Sequence, residues 1–201
     1  LQNSLNNVIY RFDIGVTVST AVISGLTITT AGTYSGSDLI NLKAWYSSDN
    51  TFSPETDILL SVKTESPGPG THIFPSWTNQ DIPTGTTGYI FISADLACTA
   101  ITGNEISVNG VTSSDVSFIG GSKSGSASAG EAQTIVYGMP GNASGLSASI
   151  EVSQTVLGWN NPDCFDEILI AAKATEQVTL QPSGDGLSYS ANPNFGDGDA
   201  F

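Results

Sequence analysis

The chain has one histidine, His72, in "GPGTHIFPSW". A serine-type triad would have to use it as the base. No Gly-x-Ser-x-Gly elbow accompanies it: "GSKSG" puts Lys123 at the nucleophile position, and "GSASAG" is of low complexity. His72 therefore reads as a residue at the start of a strand. Paired carboxylates could hydrolyse a glycoside. Asp166 and Glu167 are adjacent on a predicted strand, so their side chains face opposite ways and cannot flank one bond. No catalytic group assembles from the sequence, and no enzyme is expected.

Metal and sugar chemistry are more open. "SGDGLSYSANPNFGDGD" offers Asp185, Asp197 and Asp199 on a Gly-rich stretch, and "SSDNTFSPETD" offers Asp49, Glu55 and Asp57. Hard oxygen ligands on loops suit calcium. Neither stretch has the ligand order of an EF-hand, and a solvated acidic loop explains both equally. Exposed indole and phenol faces can stack on the apolar C–H faces of a pyranose. Trp45 and Tyr46 are consecutive on a predicted strand, so one is expected to face solvent and the other the core. Trp77, in a loop-like segment, is the best exposed candidate, with Tyr46 beside it; plain packing is the competing reading. Cys98 and Cys164 are too few and too far apart for a zinc site. A disulfide in an oxidising compartment and two buried thiols both remain open.

The elements that would position these residues are strands. Helical periodicity is nearly absent. Short β-branched and aromatic runs predict strands at Asn7–Val18, Ala21–Thr30, Leu39–Tyr46, Leu59–Thr64, His72–Phe74, Gly88–Asp95, Glu105–Val111, Val116–Phe118 and Ala132–Tyr137. Turn-rich segments such as "AGTYSGSD", "SPGPG" and "IPTGTTG" separate them. Strands at this spacing suggest an antiparallel sandwich. "IGGSKSGSASAG", residues 119–130, reads as a long loop before a last strand. "SGLSASIEVSQTVLGWNNP" then gives two strands, and "DCFDEILIAAKA" a third. An Asn-x-Ser sequon at Asn142 falls at the boundary between the halves and carries no expectation.

Composition narrows the partners. Charged residues are 12% of the chain, about half the usual share. Surface polarity must come largely from Ser, Thr, Asn and Gly, as is common outside the cell. Nineteen acidic residues face five basic ones, a formal charge of −14, and the five cations are dispersed singly. Nucleic acid and anionic lipid are disfavoured as partners. No apolar run approaches the ~20 residues of a membrane span, so no membrane insertion is expected. The chain begins at Leu1 without a signal peptide, which implies that any export signal is removed or lies elsewhere.

These stretches also carry a resemblance. "NVIYRFDIGV", "GLTITTAGTYSGSDLINLKAWYSSDNTF", "GTTGYIFISADLACTAITGNEISVNGVTSSDVSF" and "KSGSASAGEAQTI" resemble an immunoglobulin-like module of large secreted bacterial proteins. That module is similar to the domain beside BNR-repeat sialidases. "PGNASGLSASIEVSQTVLGWNNPDCFDEILIAAKA" resembles the first strands of a fibronectin type III domain, with Trp159 at its core tryptophan. The resemblance implies an all-β chain: an immunoglobulin-like antiparallel β-sandwich over residues 1–137, a hinge over 138–145, and a partial fibronectin type III-like β-sandwich over 146–201. The last strands of that second domain are missing from the pattern. It further implies export by the type IX route and a cell-surface role as an adhesin, a filament repeat unit or an accessory module. Expected partners are neighbouring copies, adjoining domains of the same parent chain, and glycans. The alternative is a carbohydrate-binding module beside a secreted glycoside hydrolase.

Overall fold

The computed structural model describes residues 1–64, 68–74, 77, 79–139, 141–152, 155–165, 168, 170 and 179. Among these the only regular structure besides strands is a 3-10 turn at Gly36–Asp38. Among the described residues no helix is long and apolar enough to cross a membrane. The chain divides into two compact units, Leu1–Met139 and Pro140–Phe201.

The first unit has two antiparallel sheets. In one, β1 (Asn7–Gly15), β7 (Thr87–Leu96), β3 (Leu39–Ser47) and β4 (Ile58–Lys63) pair in that order. The other is organised on β2 (Ala21–Gly32), the longest strand. One half of β2 pairs with β5 (Gly70–Ile73) and β8 (Glu105–Val108), and the other half with β6 (Gln80–Ile82) and β9 (Val116–Phe118). β10 (Gln133–Thr134) adds to β8. Apolar residues from both sheets meet in one core, with Ile23, Ile28, Leu42, Ile90, Ile92 and Val108 among those fully buried.

At three places a break in alternation coincides with an irregularity of register. Ile9 and Tyr10 are both buried where the β1–β7 pairing shifts. Ile23 and Leu26 are three residues apart yet share the core, across the shift between β2 and β9. The third lies between Ala44 and Trp45, opposite β4. An extra residue on one strand changes which face the following side chains meet. Gly88 is required by space: a Cβ there would sit 2.7 Å from Ile82 and from Tyr46.

β6 is missing from the sequence expectation. It has three residues, "QDI", before Pro83, too few to show a period. The 119–130 stretch is fastened rather than free. Ser126 bridges Thr112, and the amides of Ala127 and Gly130 donate to Val111 O and Val108 O at 2.7 and 2.9 Å.

In the second unit, β11 (Ser144–Ile150) and β12 (Thr155–Asn160) form an antiparallel hairpin, with Ala148 opposite Leu157 and Ser149 opposite Val156. β11 starts within the expected hinge. Trp159 is 36% exposed and donates from Nε1 to Asn161 Oδ1 at 2.9 Å, which corrects its expected place in a core. The predicted third strand falls mainly outside the described residues, as do Asp166 and Glu167.

Candidate functional site

Three buried acidic or basic side chains organise the first unit. Asp38 closes the "SGSD" turn and is fully buried. Its Oδ2 accepts from the Ser35 amide at 2.7 Å, from Ser35 Oγ at 3.1 Å and from Asn104 Nδ2 at 3.0 Å. Its Oδ1 accepts from the Ile101 amide at 2.7 Å. Burial pushes this carboxyl up, but the donors from Ser35, Ile101 and Asn104 together outweigh it, so its pKa is lowered. The same local device recurs in "TSSD": Asp115 Oδ2 accepts from the Thr112 amide at 2.8 Å and from its hydroxyl at 2.6 Å. In "SPETD" the Ser53 amide donates to Asp57 Oδ2 at 2.8 Å. Part of the acidic excess is thus consumed in fastening turns.

Asp95 is the second group. It lies on the outer face of the first sheet, 2% exposed, 2.6 Å from Lys43 Nζ. Asn41 Nδ2 donates to it at 3.0 Å and the Asn6 amide at 2.8 Å, while Lys43 also donates to Asn6 Oδ1 at 2.8 Å. Burial raises the Asp95 pKa, but the donors Lys43, Asn41 and Asn6 and the charge of Lys43 outweigh it and lower it. Further along this face, Trp45 donates to Ser93 Oγ at 2.9 Å. Phe52 packs edge-on against Trp45 and tilted against Phe91, with both centroid distances 5.4 Å. Arg11 donates to Asn50 O at 3.2 Å. The loop that carries Asn50 and Phe52 therefore covers the outer face. This corrects the expectation that one of Trp45 and Tyr46 faces solvent. Trp45 is buried under Phe52, and Tyr46 is buried in the core, so Tyr46 offers no sugar platform.

His72 is the third. It is buried on β5, and its Nε2 lies 2.7 Å from Thr30 Oγ1, which is 2.6 Å from the Tyr34 hydroxyl. Burial first, then the nearby charge of Lys63, lowers its pKa. The unfolded chain, with a His pKa of about 6.5, therefore takes up a proton before the folded one does. The stability from neutral His72 is complete above that value and is lost as pH falls toward the folded pKa. The thermal midpoint of the chain is expected to decline between pH 7 and pH 5. His72→Gln, which keeps a polar partner for Thr30, should be flat in that window. An equal decline in the variant would remove His72 as the cause.

Asp49, Glu55 and Asp57 do not gather. Asp49 Oδ1 accepts from the Thr51 amide at 2.8 Å, while Asp57 serves Ser53. Among the described residues no group of three His, Cys, Asp or Glu side chains could hold a metal. Asp185, Asp197 and Asp199 lie outside the described residues. Neither Cys98 nor Cys164 is a free thiol.

Two openings stand out among the described residues of the first unit. A groove of about 560 Å3 runs between β1 and residues 127–133, where the Tyr10 hydroxyl donates to Ser128 O at 2.7 Å. Arg11, Asp13 and Glu131 line it together with apolar residues. The second is a cleft of about 250 Å3 lined by Ile58, Leu59, Leu60, Trp77, Asn79 and Gln80. Trp77 is half-buried and packs on the core rather than standing free. Its Nε1 is the one buried side-chain donor among the described residues without a hydrogen-bond partner. Such an omission costs about 1–3 kcal/mol. Two readable signals flank the indole: the amides of "WTNQ", and consecutive apolar residues on the edge strand β4. Of the residues lining this cleft, Trp77 alone stands out in the sequence.

No protein-family profile matches the chain, nor does any curated protein or solved structure.

Proposed function

We propose that this chain is a non-catalytic extracellular module with a structural or adhesive role. In this reading it is an immunoglobulin-like sandwich followed by a fibronectin type III-like segment. It works beside neighbouring copies of itself or adjoining domains of one parent protein. One observation carries the reading: Asp38, Asp95 and His72, the buried acidic and basic side chains among the described residues of the sandwich, each tie strands or turns to one another. A catalytic acid or base instead keeps a proton or lone pair directed at a substrate cavity. The test pairs two measurements on the purified chain. Ester, glycoside and peptide substrates should show no turnover, and beads coated with the chain should adhere to one another or to glycan-coated surfaces. Turnover that disappears in His72→Ala would overturn the reading.

An extracellular location is supported by the low charge and by the absence of a free thiol among the described cysteines. We infer a Cys98–Cys164 bridge. The loop it would close contains β8 to β12, three of which belong to the sandwich, so its loss would be felt there. A cross-link over a loop of that length is worth about 4 kcal/mol. Alkylating the denatured, unreduced chain should add no mass, and reduction first should add two alkyl groups. Two groups added without reduction would dispose of the bridge.

A further inference from the structure

We propose that the cleft between β4 and Trp77, Asn79 and Gln80 binds a neutral pyranose, one sugar ring of a glycan. The inference rests on the adhesive reading only in assigning that ring to a surface glycan. Its side chains match what such a ring presents. A pyranose has apolar C–H faces and an equator of hydroxyls that both donate and accept. On the apolar side, Ile58 and Leu59 are 48% and 45% exposed on β4. Trp77 adds an indole held in place by the core.

On the polar side stand Asn79 and Gln80, whose amides can donate and accept. Gln80 Nε2 already donates to Asp81 O at 2.9 Å, which fixes the amide and leaves its oxygen to accept from a hydroxyl. Trp77 Nε1 is itself buried, so the half-buried indole would meet the sugar through its ring atoms rather than through a hydrogen bond.

Size and charge narrow the class further. The cleft, about 250 Å3, is smaller than the ~300–1,000 Å3 of drug-sized ligand sites, so it admits one ring. Among the described residues no charged side chain lines it, and the chain carries a formal charge of −14. An acidic sugar would enter without a counter-charge and against the field of the whole protein. A neutral sugar carries neither cost. Affinity for a lone ring should be weak, with a dissociation constant of about 1 mM, because so small a ligand makes few contacts.

The experiment uses the full chain labelled with nitrogen-15 and titrated separately with D-glucose, D-galactose, D-mannose and N-acetyl-D-glucosamine. The three tryptophans give three indole N–H signals. Trp45 and Trp159 already have acceptors, so their signals serve as internal controls. At least one sugar should move the Trp77 signal saturably while the other two stay in place. Asn79→Ala, at an exposed position, should weaken binding about tenfold without disturbing the fold, and Trp77→Phe should abolish it while leaving the Trp45 signal unchanged. Absence of a saturable shift with all four sugars, or undiminished binding in Asn79→Ala, would overturn the site. The two readings fail separately. If beads coated with Trp77→Phe adhere as well as the original to glycan surfaces, the cleft is excluded and the adhesive reading stands. Turnover of an ester or glycoside substrate defeats the adhesive reading and leaves the titration to judge the cleft.

Discussion

Asp38→Asn is expected to destabilise the first unit by about 3–4 kcal/mol, nearly as much as Asp38→Ala, although it changes one atom. Both carboxylate oxygens of Asp38 accept. Oδ2 meets three donors, from Ser35 and Asn104, and Oδ1 meets the Ile101 amide. An asparagine must place its NH2 at one of those positions. Either way, donors then face a donor inside a site sealed from water. Alanine leaves the same donors unpaired. For a unit of this size the loss should lower the thermal midpoint by roughly 10 °C. Thermal unfolding of the two variants checks it. An asparagine variant within about 1 kcal/mol of the original would mean that the amide is accommodated, and that the network is weaker than its distances imply.

The same carboxylates set the acid limb of stability. Asp38 and Asp95 both have lowered pKa values in the folded chain. The unfolded chain therefore binds protons first, near the ordinary Asp value of about 3.9. Their contribution is complete above that value and is lost as pH falls through the folded pKa values. Any decline above pH 5 belongs to His72 instead, so the two steps separate on the pH axis.

Legibility in the sequence followed the range of the interactions. Strands with a local period were readable: β2, β3 and β7 lie within two residues of their expected ends. β6 was not, because its pairing with Ala21–Ile23 is the whole of its evidence and lies far off in sequence. The "SGSD" turn was readable as a turn. Its role as a hub was not, since the Ile101 and Asn104 donors stand 63 and 66 residues away. Trp45 and Tyr46 were misjudged for a related reason. Alternation assigns one side chain to each face, but it does not reveal that the Phe52 loop folds over the outer face. The candidate sugar site was half legible: Trp77 stands out by type, whereas Ile58 and Leu59 join it only through tertiary packing.

Asp95→Ala is expected to cost about 3–4 kcal/mol, and Lys43→Met only about 1 kcal/mol, although each removes one end of the same ion pair. The asymmetry lies in the surroundings of each charge. Asp95 is 2% exposed and receives Lys43, Asn41 and the Asn6 amide. Removing it strands three donors at once. Lys43 is 14% exposed, and its stem can carry the ammonium toward water. When Lys43 becomes methionine, Asp95 keeps the Asn41 and Asn6 donors, and the new side chain still covers the strand. The two substitutions should therefore couple. Asp95→Ala should cost about 1–2 kcal/mol less in the Lys43→Met background, where no ammonium is left without its partner. Denaturant unfolding of the four chains measures that difference. Equal costs for the two single variants, or costs that simply add in the double variant, would show that the pair is solvated like a surface salt bridge and does not hold Asn6 against the sheet.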